Sequence, residues 1–282
     1  MSSIPESAAS AHPANPTRDP WSALQHLTSA RIALGRTGGS LRTRSVLDFR
    51  LAHARARDAV HAPFALDEME RQFSAHQIAT ERLATAINDR PTYLMRPDLG
   101  RQLDPASRAI LRRILADYGQ RDLAILVSDG HSAQATLRHA AETVARLAHY
   151  LDTAGWTRYP VLLIPFARVK LQDEIGALLH VRHTLIFLGE RPGLSAPDSL
   201  GAYFTHNPNP ACTDADRNCV SNIRPEGLPI AAAAQKLAQL LLESARLGVS
   251  GVNLKDQLQT LPAESRLVEF SKAKTRRVEI DR

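Results

Sequence analysis

Three short polar clusters in this chain each follow a continuous apolar run, and they hold the side chains best suited to binding a ligand. They are SDGHS at 128–132, FARVK at 166–170 and GERPG at 189–193. Their glycines let the backbone approach a ligand closely, and amides at the start of a helix can bind an anion. Ligands of open parallel sheets bind beyond the carboxyl ends of the strands, so the clusters predict one ligand site at one sheet edge. The alternative is that they are only the turns that such a sheet requires.

One of these clusters partly matches a cobalt-ligating motif. Asp129-x-His131 has the start of the D-x-H-x-x-G pattern with which some cobalamin domains supply an axial histidine, but Gln134 stands at its last position. A single histidine after a strand is usually a polar loop residue. We therefore predict that His131 does not ligate cobalt and that the chain holds no metal ligand of its own.

Other familiar site motifs are missing. GRTGGS at 35–40 lacks the Gly-Lys-Ser/Thr ending of a phosphate-binding loop, and no G-x-G-x-x-G follows a strand. Cys212 and Cys219 do not have CxxC spacing, which disfavours a zinc site, and no G-x-S-x-G marks a serine hydrolase. These absences argue against a nucleotide-dependent or hydrolytic activity that the chain carries out alone.

The composition limits the kinds of partner that the chain is expected to bind. The 282 residues carry a net charge of +6 with only 5% aromatic residues, and no dense basic run is interleaved with aromatics, so we expect no nucleic-acid binding. No apolar run approaches the roughly 20 residues that span a bilayer, so we expect no membrane segment. Residues 1–20 lack the apolar centre of a secretory signal, and two cysteines exclude a disulfide framework.

The hydrophobic pattern of the sequence after Gly119 predicts the strands and helices that position the clusters. Apolar runs without alternation, separated by helical stretches, are typical of a parallel sheet covered on both faces. The predicted strands are 123–127, 161–166, 184–188 and a short one at 202–205, and the predicted helices are 132–153, 169–179 and 229–247.

Residues 21–118 instead show a helical pattern. A helix over 46–60, capped by Thr43 or Ser45, has a broad apolar face, while its arginines point outward towards solvent or a partner. A second helix begins at Asp104-Pro105 and ends at Gly119. The helical face holds Val46, Leu47, Phe49, Leu51 and Ala54, and the outward side holds Arg50, Arg55 and Arg57.

The predicted fold class is therefore α/β, with an N-terminal helical region followed by a Rossmann-like, mostly parallel sheet flanked by helices. We divide the chain into a disordered tail at 1–20, the helical region at 21–119, the Rossmann-like domain at 120–255 and a C-terminal extension at 256–282. The tail could also be a short targeting or docking segment, and the extension, with its basic stretch at 272–277, could be disordered or a docking arm.

Several long segments together resemble the small (light) subunit of ethanolamine ammonia-lyase, from about Trp21 to Lys255. The most distinctive are GERPGLSAPDSLG and DRNCVSNIRPEGL; the others are ARIALGRTGGSLRTRSVLDFRLAHARARDAVH, YLMRPDLGRQL, LVSDGHSAQA, RVKLQDEIGALL and SGVNLK. The resemblance implies a subunit of an adenosylcobalamin-dependent enzyme that converts ethanolamine to acetaldehyde and ammonia by a radical mechanism. It implies that the large subunit binds ethanolamine and that this chain, with no catalytic residue, covers part of the corrin.

The resemblance also implies particular contacts and an assembly. Val169, Glu190 and Cys219 would contact the cobalamin; the first two stand in clusters that the sheet argument selects, and Cys219 is expected in a loop. The active complex would contain six copies of each chain. It would be located inside a bacterial microcompartment or else in the cytoplasm. His131 stands where the family has an apolar residue, and residues 256–282 extend beyond its usual end.

Two other classes of function stay open at this point. The chain could be a stand-alone, nucleotide-binding, Rossmann-like transferase or oxidoreductase, which turnover by the isolated chain would favour. It could also be a structural adaptor that touches no cofactor, which a corrinoid bound only by the partner would favour.

Overall fold

The computed structural model of the chain describes residues 19–28, 30–37 and 39–256. The predicted tail lies outside these residues except for its last two, and the predicted extension lies outside them except for Asp256. Their assignment as disordered or docking segments stays a prediction.

A six-stranded sheet forms the centre of the molecule. Its strand order is β3-β5-β4-β6-β7-β8, with the first four strands parallel and the last two joined antiparallel. The strands are β3 (Thr80–Arg82), β4 (Leu123–Ser128), β5 (Val161–Leu163), β6 (His183–Gly189), β7 (Leu200–His206) and β8 (Arg217–Ile223); β1 (Arg36–Thr37) and β2 (Ser40–Leu41) form a separate small hairpin. This confirms the predicted mixed α/β class with a mostly parallel sheet, while the Rossmann-like detail stays a prediction.

Helices cover both faces of the sheet. Every residue of β4 and β6 is buried, which explains why these strands are continuous apolar runs without alternation. One apolar core joins one face of the sheet to α5 and α7, and a second joins the other face to α4 and α6. The helices are α1 (Thr43–His61), α2 (Leu66–Ala75), α3 (Arg90–Met95), α4 (Pro105–Tyr118), α5 (Ala133–Thr153), α6 (Leu171–Leu179) and α7 (Ile230–Leu247).

Local capping fixes two of these helices where the sequence predicts. Asp104 accepts a hydrogen bond from the amide of Ala106 at 2.9 Å, and Pro105 is the first residue of α4. The Ser132 hydroxyl caps α5 by accepting from the amide of Ala135 at 3.2 Å. Because α5 starts directly after the polar cluster at 128–132, its cap also fixes the path of that cluster.

The N-terminal half departs from the helical prediction in two ways. Residues Thr80–Arg82 form β3, which pairs in parallel with β5 at the sheet edge. Its three polar residues carry no strand pattern, so the pairing depends on tertiary context. The predicted caps of α1 are also wrong, because Thr43 is already helical and Arg42 at the cap position makes no capping side-chain bond. The division into regions stays a prediction.

No helix in the described part of the chain is both long and apolar enough to cross a lipid bilayer.

Candidate functional site

The three polar clusters meet in one cleft of about 480 Å³. They arrive there because β4, β5 and β6 are parallel neighbours, so the chain leaves all three strands at the same edge. Helix α3 and strand β7 close two further sides. The lining residues are Tyr93, Gly130, His131, Arg168, Val169, Leu188, Gly189, Glu190, Arg191 and Tyr203.

A buried carboxylate holds two of the clusters together beneath the cleft. Asp129 is only 2% exposed, and its Oδ1 accepts from the amide of Phe166 at 2.7 Å and from the Ser128 hydroxyl at 3.1 Å. Its Oδ2 accepts from Nη1 of Arg90 at 2.8 Å. Burial raises the pKa of Asp129, while these donors and Arg90 oppose the rise. With all these partners, Asp129 positions the loops and does not face a ligand.

Two guanidinium groups contact the ring of Tyr93. The guanidinium carbon of Arg168 lies 3.9 Å from the ring centroid and that of Arg90 lies 4.9 Å away. Arg168 also donates through Nη2 to the Tyr93 carbonyl at 2.6 Å. Within the described residues Arg168 has no carboxylate at ion-pair distance, so its positive charge can interact with a ligand in the cleft. Together with Arg191, it makes this wall cationic.

His131 contacts the same arginine. Its Nε2 lies 3.0 Å from Nη1 of Arg168, and its ring meets Tyr93 edge-on with centroids 5.6 Å apart. The pKa of His131 is lowered to about 4, mainly by burial and further by the charges of Arg168, Arg191 and Arg90. The ring is therefore neutral at pH 7, and since a guanidinium only donates, Nε2 accepts and the proton is on Nδ1.

Glu190 lies half-buried at the end of β6. Its Oε2 accepts hydrogen bonds from the hydroxyl of Ser199 and from the amide of Asn222 at 3.3 Å. No arginine or lysine pairs with it in the described ranges, and Oε1 accepts no hydrogen bond there. A Cβ added at Gly201 would lie 2.9 Å from Oε1, so glycine at that position leaves room for the carboxylate. One oxygen of Glu190 is thus fixed while the other can accept from a ligand.

Val169 also lines this cleft, whereas Cys219 lies beside it. The assignment of Cys219 to a loop is wrong: it lies in β8, opposite Tyr203, which lines the cleft. Cys219 is exposed, but partial burial of its thiol raises the pKa. A hydrogen bond from Tyr203 opposes that rise. Burial, and this contact with Cys219, raise the pKa of Tyr203, so both groups are neutral at pH 7.

Sequence reasoning missed the α3 side of the cleft. Tyr93 and Arg90 lie far along the chain from the strand ends, and only tertiary packing brings them there. Tyr203 fell in a predicted strand, but nothing in its spacing marked it. A second cavity, of about 460 Å³, lies between α2 and α5 and contains none of the predicted site residues; it is lined by His76, Glu142, Ala145, Arg146, His149 and Tyr150.

Comparison with known proteins identifies a family. Residues 18–255 match the family described as "Ethanolamine ammonia-lyase light chain (EutC)". Proteins named "Ethanolamine ammonia-lyase small subunit" from Ralstonia nicotianae and Azotobacter vinelandii are 51% and 50% identical, over 86% of this chain and 91% and 90% of theirs. A protein of that name from Pseudomonas aeruginosa is 51% identical over 88% of this chain and 92% of its own.

Proposed function

This chain belongs to the ethanolamine ammonia-lyase light-chain family, and on that premise we propose that its cleft holds one side of adenosylcobalamin. The family and the names of its members give the chain a lyase role as one subunit of that enzyme. In our proposal a large subunit binds ethanolamine and completes the cofactor site. The observation that carries the proposal is the position of Val169 and Glu190 in one cleft, next to the β7–β8 pair that bears Cys219.

The chemistry of the cleft fits a corrinoid. The rim of a corrin ring carries amide side chains, which need acceptors for their N–H groups and donors for their carbonyls. The open Oε1 of Glu190 is an acceptor, and Arg168, which also lines the cleft, is a donor. Val169 and Leu188 give apolar contact between these polar groups. The neutral thiol of Cys219 suits the ring edge, since it costs little to desolvate.

The cleft is open and much smaller than a corrinoid, so this chain covers only part of the cofactor. When bound, adenosylcobalamin supplies the radical by homolysis of its cobalt–carbon bond. The residues of this chain have a binding role: Glu190 accepts, Arg168 donates, and Tyr93 holds Arg168 in place. None of them moves a proton to or from the substrate, because the substrate site belongs to the partner.

The assembly is part of the same proposal. The name "small subunit" that the relatives carry implies a larger partner, and we propose six copies of each chain in the complex. We further propose that the complex works inside a bacterial microcompartment, with the cytoplasm as the alternative location.

Co-expression with the large subunit tests the proposal. We expect the purified complex to show the absorption spectrum of bound corrinoid after incubation with adenosylcobalamin, and to release ammonia from ethanolamine. The isolated chain should release none, and turnover by it would contradict the proposal in favour of a stand-alone enzyme. A complex that binds corrinoid equally well with Val169, Glu190 and Cys219 all replaced by alanine would make this chain an adaptor that does not contact the cofactor.

A further inference from the structure

The N-terminal part of the chain leaves large apolar side chains uncovered. Of the thirteen exposed large hydrophobic residues in the described part of the chain, seven lie between Trp21 and Leu51. Helix α1 is 19 residues long but buries only Ala52 and Ala59. Single exposed apolar residues are ordinary, but such a concentration marks an interaction surface.

The first half of α1 is apolar on more than one side. Leu47 and Leu51 are four residues apart and therefore share a face; they are 56% and 51% exposed. Phe49 points to a different side, is 45% exposed and stacks on His53 with ring centroids 6.3 Å apart. A helix with apolar residues on several sides is stable when it is buried, and here the described chain leaves Leu47, Phe49 and Leu51 exposed.

This helix is continuous with the rim of the cleft. At its far end the carbonyl of Val60 accepts from Nε of Arg90 at 2.7 Å, and Nη1 of the same arginine donates to the carbonyl of Gly130 at 2.7 Å. Beside the cleft, on α3, Leu94 is 39% and Met95 is 73% exposed. One partner that covers the cleft would therefore also reach α1.

The charge on α1 indicates what that partner carries. Its four arginines outnumber its two aspartates, and the pair between Arg44 and Asp48 is 4.0 Å long, with side chains 93% and 67% exposed. The exposed arginines Arg50, Arg55 and Arg57 have no carboxylate partner within the described residues. An apolar patch edged by arginines fits an apolar patch edged by carboxylates.

We infer that the first half of α1, with Leu47, Phe49 and Leu51 at its centre, is the surface on which the large subunit docks. The other end of α1 contacts Arg90 beside the cleft, where Leu94 and Met95 are exposed, so the same partner would also close the cofactor site. The inference rests on the proposed function, because it takes the large subunit as the partner. It goes beyond the proposed function in two ways. It assigns the contact to these side chains, and it assigns an apolar face edged by carboxylates to the partner.

The test measures binding of the full chain to the purified large subunit by biolayer interferometry. The triple variant Leu47→Ser, Phe49→Ser, Leu51→Ser should bind about a hundredfold more weakly, since central apolar contacts dominate such interfaces. The matched control is Leu247→Ser with Val252→Ser, which removes side chains 47% and 69% exposed elsewhere on the surface and should bind like the wild type. Circular dichroism must show the same helix content in all three proteins.

The outcomes separate the possibilities. Equal binding by the triple variant and the wild type overturns the inference while leaving the proposed function intact. A wild-type chain that does not bind the large subunit contradicts the proposed function itself. Loss of self-association in the triple variant, with normal large-subunit binding, assigns the face to a second copy and overturns our inference. If the triple variant binds normally and deletion of residues 1–18 lets an apolar dye bind to the chain, the face belongs to the chain's own N-terminus. That result also overturns our inference.

Discussion

Arg168 donates a hydrogen bond through Nη1 to Nε2 of His131 at 3.0 Å, and this contact decides what the histidine in the D-x-H sequence can do. The lone pair that would ligate a metal is occupied by a guanidinium. Burial and three nearby arginine charges keep the ring neutral, with a pKa of about 4, so at physiological pH Nε2 keeps its lone pair and accepts from Arg168. Within the described residues, no group of three or more His, Cys, Asp or Glu side chains converges as a metal site.

We therefore predict that His131 never becomes the axial ligand of cobalt. Electron paramagnetic resonance of the Co(II) state, with this chain labelled with nitrogen-15 and the large subunit and cobalamin unlabelled, should show the same axial nitrogen splitting as the unlabelled complex. The variant His131→Asn should still bind cobalamin. A splitting that changes with the label would identify a protein nitrogen on cobalt and contradict the prediction.

The second prediction concerns the free oxygen of Glu190. If Oε1 accepts from a corrin amide, Glu190→Ala leaves that donor unpaired and should weaken cobalamin binding by about tenfold to a hundredfold. Glu190→Gln keeps an amide oxygen as acceptor and should weaken it less. Equilibrium titration of the assembled complexes measures both.

The matched control is Ser199→Ala. It removes the hydroxyl that donates to Oε2 and leaves Oε1 and the Asn222 amide in place, so affinity should change little. If Ser199→Ala weakens binding as much as Glu190→Ala, Glu190 serves only to hold the turn.

Gly201 provides a third prediction at the same site. A Cβ there would lie 2.9 Å from Oε1 of Glu190 and 3.2 Å from the ring of Tyr203, so Gly201→Ala must displace one of them. Cobalamin affinity should fall severalfold while the fold persists, because the added methyl meets side-chain atoms and not backbone. The control is Gly193→Ala, whose Cβ would meet nothing closer than 3.9 Å. Unchanged affinity in Gly201→Ala would show that the carboxylate needs no such room.

The sequence was informative wherever burial is complete. Strands β4 and β6 are buried along their whole length, so their apolar runs predicted them to within a residue or two. Strand β8 was missed because it lies at the sheet edge, where its buried and exposed residues do not alternate regularly, and because Arg217 is buried only through an ion pair. Strand β3 was missed because its polar residues take their conformation from pairing with β5.

The candidate site divides in the same way. The rule that parallel strands end at one edge was enough to select the segments that contain Val169 and Glu190. Resemblance alone selected Cys219. The contacts of Tyr93 with Arg90 and Arg168 could not be predicted, because they depend on how α3 packs against loops some 40 to 75 residues away in sequence.

The fourth prediction concerns stability in acid. His183 is fully buried, and its Nε2 lies 3.0 Å from the Ser244 hydroxyl and 3.1 Å from Nδ1 of His206. Burial, His206 and Arg182 lower the pKa of His183 to about 2. The unfolded chain takes up this proton near pH 6.5 and the folded chain does not, so stability falls as pH drops below about 6.5.

One proton contributes a slope of about 1.4 kcal/mol per pH unit. His183→Gln should remove about that much slope between pH 6 and pH 4.5, measured as the unfolding free energy in urea at several pH values. At pH 7.5 the variant should be less stable by about 1 kcal/mol, the usual effect of one altered core residue. His149→Gln, at an exposed histidine, is the control. An unchanged slope in His183→Gln would mean that His183 is protonated in the folded chain.

The last prediction concerns the ion pair that holds the strand bearing Cys219. Arg217, the first residue of β8, donates through Nη1 and Nη2 to the two oxygens of Asp173 at 2.6 and 2.9 Å, and both side chains are at least 97% buried. Without Asp173 the buried guanidinium keeps only the exposed Asp214, 3.4 Å from its Nε, as an ion-pair partner. Asp173→Ala should therefore lower the unfolding free energy by about 3–5 kcal/mol. The double variant Asp173→Leu, Arg217→Met removes both charges and should recover most of it. The control is Asp152→Ala, which breaks a pair of similar length with Arg158 in which the aspartate is 51% exposed, and it should cost less than about 1 kcal/mol. If Asp173→Ala costs no more than the control, the buried pair does not hold α6 to β8.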